Sequence, residues 1–429
     1  MTDTPRCLTG CTPPDGDSLN RQCTCAVVDV AQIRNRLAAQ LVHGEAVDSE
    51  RHAHLFSPHA LFVDRASLDA MAAVASAVLE VATCPAYIDR VLDWAPAIAS
   101  HDPGSPGGVF GLDFHLTVEG PRLIEVNTNP GGLLLNALLL DGVEACAPAS
   151  WAPTRTSTDA RAAAVDAWLE DAQAQLGRAP TRIAVVDLDP PAQFLYPEFE
   201  LYAAAFQERG LDCVICDPDA LTWDGTSLRD ASGTVDFVYN RLTDFALQDP
   251  ASAAIRAAFL ADAVALTPHP RAHALLADKR NLAVLGDGER LRAWGIAPDV
   301  SALLSRAIPE TFAVDGSRAE QLWERRKDYF FKPATGFGSR GSYRGDKLTR
   351  RVWESIEQGI YVAQRFAPPS LRVAADGTTL KADVRCFVNR DSVLMFAARL
   401  YQGQTTNMRT AGGGFAAVLT TPRRPASAE

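Results

Sequence analysis

The stretch from Thr181 to about residue 245 leaves this chain the least freedom. "RIAVVDLD" is a continuous apolar run, "EFELYAAAFQERG" carries a helical pattern that stops at a glycine, and "LDCVICDP" and "VDFVYNRL" are two more apolar runs. Strands without polar alternation are buried on both faces, and such strands separated by helices make a parallel sheet with helices packed on it. The spacing therefore predicts a small parallel α/β unit over roughly residues 180–270. Its Cys213 and Cys216 lie inside an apolar run, which reads as buried structural thiols rather than a dithiol redox site.

Elsewhere the pattern changes. From about Ala26 to Ala82, in "VVDVAQIRNRLAAQLV" and "DAMAAVASAVLEVA", apolar residues recur at helical spacing and predict amphipathic helices. After "HDPGSPGGVFG", the segment "LDFHLTVEGPRLIEV" reads as two short strands about a Glu-Gly-Pro turn, a hairpin signal. Helices are expected again to about residue 307, and the final third is rich in strands and glycine. A chain of 429 residues exceeds one ordinary core. We divide it into a Cys-rich leader (1–25), helices with the hairpin (26–155), the small α/β unit (156–270) and a Gly-rich, strand-rich part (271–429).

Composition excludes some functions. A net charge of −11 argues against a general nucleic-acid binder, although a few local cations still suffice for a small anionic ligand. No window approaches the roughly 20 apolar residues of a membrane helix, and the start lacks the basic-then-apolar order of a secretory signal, so a cytoplasmic setting is expected. Nine cysteines is an odd number, and four of them, Cys7, Cys11, Cys23 and Cys25, crowd the leader. Four thiolates suit Zn²⁺ or an iron–sulfur cluster, and the alternative is a Ser/Pro/Asp-rich leader without a ligand.

Two constellations carry chemistry. In the hairpin, Glu125 and Asn127 are two residues apart and so face the same way, and Asp113 on the preceding strand can lie opposite. Two carboxylates and an amide suit Mg²⁺, which takes a few protein oxygens and leaves the rest of its shell to water and phosphate; a solvated hairpin is the plainer reading. The second is "FFKPATGFGSRGSYRG", with Lys332 ending an apolar run, then Gly336, Gly338, Ser339 and Gly341. Glycine amides approach a phosphate closely and lysine adds a point charge, but the spacing is not that of a P-loop. Further on, "GIYVAQRFAPP" gives a strand whose backbone could pair with an adenine edge, with Gln364 near its end. The strands after it carry Asp383, Arg385 and Arg399, and "NMRTAGGG" carries Arg409; arginine is suited to a bidentate grip on phosphate or carboxylate.

Together these residues resemble the ATP-grasp superfamily of carboxylate–amine ligases. The resemblance implies that Lys279 in "LLADKRNLAVL", Lys332, the glycine loop and Gln364 bind ATP, and that Asp113, Glu125 and Asn127 bind one or two Mg²⁺. The hairpin precedes the "KP" loop, an order similar to the circularly permuted branch that includes eukaryotic-type glutathione synthetase and, more loosely, glutathionylspermidine synthetase. "IEVNTNPGG" and "NMRTAGGGFAAV" sit where that branch has its metal segment and its Gly/Ala-rich segment. The implied fold is a permuted ATP-grasp fold of mixed α+β and α/β character with an inserted small parallel α/β domain, in which Arg241 falls where relatives often carry a basic residue. Relatives frequently place an arginine two residues before the metal aspartate, and here that position is Gly111. The cation for the transferred phosphoryl group is then expected from Arg385, or from Arg399 or Arg409. The implied activity joins a small-molecule carboxylate to an amine through an acyl phosphate, with ADP and phosphate released; a nucleotide-binding scaffold and a phosphotransferase are the alternatives. A homodimer is left open.

Overall fold

The computed structural model describes residues 15–22, 28–42, 50–143, 152–153, 159–336, 338, 340–374 and 376–421. Ser339 and the leader cysteines Cys7, Cys11, Cys23 and Cys25 lie outside them. The architecture is mixed α/β, built on three main sheets.

The largest sheet has eight strands. Its main path runs Leu61–Phe62, Gly414–Thr420, Ser392–Tyr401, Thr379–Asn389, Val109–Thr117 and Gly120–Asn127. The pairings from Gly414–Thr420 to Gly120–Asn127 are antiparallel, and Leu61–Phe62 joins the edge in parallel. Alternation decides what each face becomes. Phe110, Leu112 and Phe114 join Val384, Cys386 and Ala398 in a core under helix Arg65–Ala82, whose Leu68, Met71 and Val78 face them. On the other face, Val109, Phe387, Ala397 and Phe415 pack against helices Leu133–Asp141 and Ala160–Leu176. Further along the same face, the strands carry Asp113, Arg385 and Arg399 instead. The sheet is therefore apolar at one end of this face and charged at the other.

The second sheet is the small one. Strands Asp212–Cys216, Arg182–Val186, Phe237–Asn240 and Ala265–Thr267 pair in parallel in that order; the last three are largely buried, whereas Asp212–Cys216 is a partly exposed edge strand. Cys213 and Cys216 stand three apart on one strand, hence on opposite faces, and burial pushes both thiols up to about 12. Neither thiol has the lowered pKa of a reactive dithiol, in keeping with the structural role expected.

The third sheet is antiparallel, in the order Thr311–Ala313, Tyr361–Arg365, Tyr329–Pro333 and Tyr343–Arg344. Phe331, Ala363, Trp353 and Ile356 form its core with helix Arg350–Gln358. Among the described residues, no single helix is long and apolar enough to cross a membrane.

Candidate active site

The charged end of the large sheet is a chain of four ionised groups on three adjacent strands. Asp113 pairs in register with Glu125 on one side and with Arg385 on the other. The Arg385 guanidinium grips Asp113 with two hydrogen bonds, from Nε to Oδ1 at 2.6 Å and from Nη2 to Oδ2 at 2.7 Å. Arg399 Nη2 adds a third at 2.7 Å, and Asn127 Nδ2 donates a fourth at 3.1 Å. Arg399 turns its Nε to Asp383 Oδ1, also at 2.7 Å. Burial alone would raise the pKa of Asp113, but Arg385 and Arg399 overcome it and hold the carboxyl at about 2. Burial likewise opposes the charge on Arg399, and Asp113 and Asp383 more than restore it.

Gly111 is what lets Arg385 lie there. A Cβ at position 111 would stand 2.8 Å from Pro130 Cβ and 2.9 Å from Arg385 Cδ, closer than carbon atoms tolerate. The glycine that looked like a lost cation is therefore the space into which a neighbouring strand delivers one.

The Pro-Gly-Gly after the hairpin makes a tight turn onto helix Leu133–Asp141. Gly132 takes φ +94°, and the Phe415 ring fills the volume a side chain would need. Glu198, from helix Tyr196–Glu208 beside the small sheet, accepts from the amides of Gly132 and Leu134 at 2.7 and 3.0 Å. Two arginines close on the same turn from opposite sides: Arg385 Nη1 donates to Gly131 O at 3.2 Å, and Arg241 Nη1 to Asn129 Oδ1.

In the third sheet, Lys332 ends its strand buried, with Nζ donating at 2.8 Å to Gln364 Oε1 and to Ile124 O of the hairpin. Burial pushes its ammonium down to about 8, and Glu125 pulls it part of the way back. Lys279 Nζ donates to Gly336 O at 2.8 Å and so ties down the start of the glycine loop. Gln364 also donates to Thr311 Oγ1 at 3.4 Å, so its side chain serves the sheet and Lys332. Strand Tyr361–Arg365 has a partner on each side. Its backbone is therefore hydrogen-bonded to strands on both sides. Beyond the ladder, Phe366 N donates to Asp328 O at 2.8 Å, and Phe366, Ala367 and Pro369 line the cavity.

A cavity of about 500 Å³ joins these parts. Asp113, Glu125, Asn127, Lys279, Lys332, Gly336, Gly338, Gln364, Arg385 and Arg399 all line it. Gly341 has φ +67° and is not among the lining residues; the loop reaches the cavity through Arg340 and Ser342. Arg409 is exposed and lies outside the lining, with its guanidinium 4.9 Å from the centre of the Phe194 ring. Being on a loop rather than a sheet face, it follows the loop's path and not the strand periodicity.

Several lining residues carried no assigned role in the sequence. Arg241 is buried between Phe199 and Tyr239 and leaves Nε without a hydrogen-bond partner. Asp187 ends a small-sheet strand, and burial raises it to about 6. His273 stacks on Phe245 with ring centres 3.7 Å apart, and burial takes it down to about 3, so it is neutral. For Arg241 and Asp187 a signal existed: each is a charged residue at the carboxyl end of an apolar parallel strand, where open α/β sheets bind ligands.

Among the described residues, no three His, Cys, Asp or Glu side chains gather as a metal group. The hairpin still offers oxygen ligands. Glu125 lines the cavity beside Asn127 and makes no hydrogen bond or ion pair among the described residues, so this pair fits a hard divalent cation that completes its shell with other oxygens. Asp113 differs from the expectation, because guanidinium N–H groups already occupy both of its oxygens.

No protein-family model matches the chain, and no curated protein matches it. Solved structures do match in shape. A glutathione synthetase-like effector from Globodera pallida, in its apo form, aligns with a TM-score of 0.54 at 14% identity, over 90% of this chain and 97% of its own. A putative gamma-glutamylcysteine synthetase from Methylobacillus flagellatus KT aligns over 85% of this chain and 90% of its own, at 13% identity and a TM-score of 0.46. The ATP-grasp ligase PsnB, solved with minimal precursor, Mg and ADP, aligns over 55% of this chain and 87% of its own, at 16% identity and a TM-score of 0.28. The fold is ATP-grasp-like. The cavity is walled on one side by the third sheet, with Lys332, and on the other by the large sheet, with Glu125.

Proposed function

We propose that this protein is an ATP-dependent carboxylate–amine ligase with the chain order of a permuted ATP-grasp fold, in which the small parallel unit is the inserted domain. One observation carries the reading. Lys332 and Ile124 are 208 residues apart in the chain, yet a single hydrogen bond joins them within one cavity that also holds the glycine loop, Glu125 and the two arginines.

On this reading ATP lies with its base against Phe366–Pro369 and its phosphates toward Lys279, Lys332 and Gly336. Glu125 and Asn127 would hold Mg²⁺, whose charge offsets that of the phosphates. A carboxylate oxygen of the acid takes the γ-phosphoryl group, giving an acyl phosphate and ADP. The amine nitrogen then attacks the acyl carbon, phosphate leaves, and the amine loses a proton. Arg385 and Arg399 face the place where the anionic charge gathers, and preorganised charge of this kind is the usual source of rate in such transfers.

The first test is a screen of ADP release over amino acids, dipeptides, glutathione precursors and polyamines. The expected result is ADP that depends on both an acid and an amine. ADP formed with an acceptor but without free phosphate would instead indicate a phosphotransferase. Failure of MgATP to bind would end both.

The depressed ammonium of Lys332 gives a pH prediction. At pH 9 the free protein has shed this proton, and an arriving phosphate restores it. Nucleotide binding should therefore take up close to one proton at pH 9 and almost none at pH 7, read as the difference in binding heat between two buffers of unlike ionisation enthalpy. For stability the sign follows from a pKa lowered from 10.5 to about 8. The charged form weighs against folding below pH 8, and that cost fades as pH rises toward 10.5, because only the unfolded chain still holds the proton.

A further inference from the structure

We propose that the cavity takes one divalent cation, at Glu125 and Asn127, and that the two guanidiniums on Asp113 supply the charge a second cation would bring. The proposal rests on the ligase reading of the same cavity and chooses between one and two Mg²⁺, which the resemblance leaves open.

The supply of carboxylate oxygens limits the number of ions. Among the described residues, three carboxylates line the cavity: Asp113, Glu125 and Asp187. Asp113 accepts four hydrogen bonds, two from Arg385 and one each from Arg399 and Asn127. Asp383, which pairs across the strands with Arg399, has one oxygen on Arg399 Nε and the other on Thr406 Oγ1. Asp187 follows strand Arg182–Val186 of the small sheet and has Arg241 as a nearby opposite charge. The glycine loop adds none. From Pro333 to Ser342 the sequence holds no Asp or Glu, and it carries Arg340 instead. Glu125 is the carboxylate left for a metal at the phosphates.

Mg²⁺ at a nucleotide is held by one or two carboxylates and by phosphate oxygens, so Glu125 with Asn127 suffices for one ion. Two such ions, about 3.5–4 Å apart in two-metal sites, repel each other and need anionic ligands between them. A second ion could find one here only by stripping Asp113 of its guanidinium bonds, which would leave those guanidiniums as unpaired positive charges beside it. The arginines are the better fit. Arg399 gives Nε to Asp383 and Nη2 to Asp113, and among the described residues its Nη1 makes no hydrogen bond, so that group is left to donate to an anion. Charge fixed on a strand in this way stays when the metal is removed.

Equilibrium dialysis counts the ions, with saturating Mn²⁺ as the metal, the non-hydrolysable analogue AMPPNP as the nucleotide, and the ratio of bound Mn²⁺ to bound AMPPNP as the readout. The wild type should hold one Mn²⁺ for each AMPPNP. A ratio of two overturns the proposal and leaves the ligase reading standing. Arg385→Met opens an oxygen of Asp113 and should raise the ratio above one. An unchanged ratio in that variant overturns the proposal as well, because the masking of Asp113 would then not set the count. If Arg385→Met does not fold, the wild-type ratio decides alone. Failure of the wild type to bind AMPPNP at all overturns the ligase reading together with the proposal.

Discussion

Replacing Lys332 by methionine is expected to abolish ADP formation while the chain still folds. Methionine keeps much of the stem that fills the end of strand Tyr329–Pro333 and removes the charge together with its N–H donors. Loss of one preorganised group that stabilises transferred charge lowers turnover by about 10²–10³-fold, so residual activity should fall near the detection limit. The structural cost is smaller, because two effects oppose each other. Ile124 O and Gln364 Oε1 lose their donor, which costs about 1–3 kcal/mol for a buried acceptor left unpaired. Against that, the substitution removes an ammonium whose depressed pKa shows that burial already disfavours its charge. A urea titration should place the midpoint slightly below that of the wild type. Turnover within about threefold of the wild type, a change of less than 1 kcal/mol in the barrier, would remove Lys332 from the phosphate site.

The second large effect is expected at Arg385. Arg385→Met breaks the bidentate pair with Asp113, and breaking a buried pair usually costs about 3–5 kcal/mol because a charge is left alone. Here Asp113 keeps Arg399 and Asn127, so the loss should lie at or below the lower end of that range. Turnover should fall about 10³-fold if Arg385 faces the transferred phosphoryl group. One further signature separates this from simple damage. Freeing Asp113 Oδ1 adds a carboxylate oxygen beside Glu125, so the variant should bind Mn²⁺ more tightly than the wild type in the absence of nucleotide. Weaker binding would mean that Arg385 does not mask Asp113. Gly111→Ala should move turnover in the same direction by a smaller factor, since the new methyl group presses on Arg385 Cδ without removing the guanidinium.

Local patterns were readable wherever the period was clear. The alternation through Asp113, Glu125 and Asn127 is a property of adjacent residues, and the hairpin it implies is the one formed. The unbroken apolar runs at Arg182–Val186 and Phe237–Asn240 likewise lie in a parallel sheet. What could not be read was which distant strand would lie beside Asp113. Arg385 was a candidate for its charge alone, and nothing in its neighbourhood announces a pairing 272 residues away. The masking of Asp113 was hidden for the same reason. That strand Tyr361–Arg365 lies between two others was not legible either, because one of its partners, Thr311–Ala313, is a three-residue element too short to signal itself. Asp383 looked like any acid on a strand until its second oxygen met a threonine from the loop 23 residues later.

The position of strand Val109–Thr117 between Gly120–Asn127 and Thr379–Asn389 has a consequence for how the molecule comes into being. A ribosome adds roughly 5–20 residues per second, so about 15–50 s pass between the emergence of Asp113 and that of Arg385. During that interval the hairpin has a bare edge, a row of unpaired amides and carbonyls that invites pairing with other chains. The small parallel sheet needs nothing beyond Thr267 and can settle early, while the large sheet waits for the last fifty residues. A nascent chain stalled before Thr379 would therefore carry a finished small sheet and an unfinished large one, and its vulnerability to aggregation would be concentrated at the strand that bears Asp113.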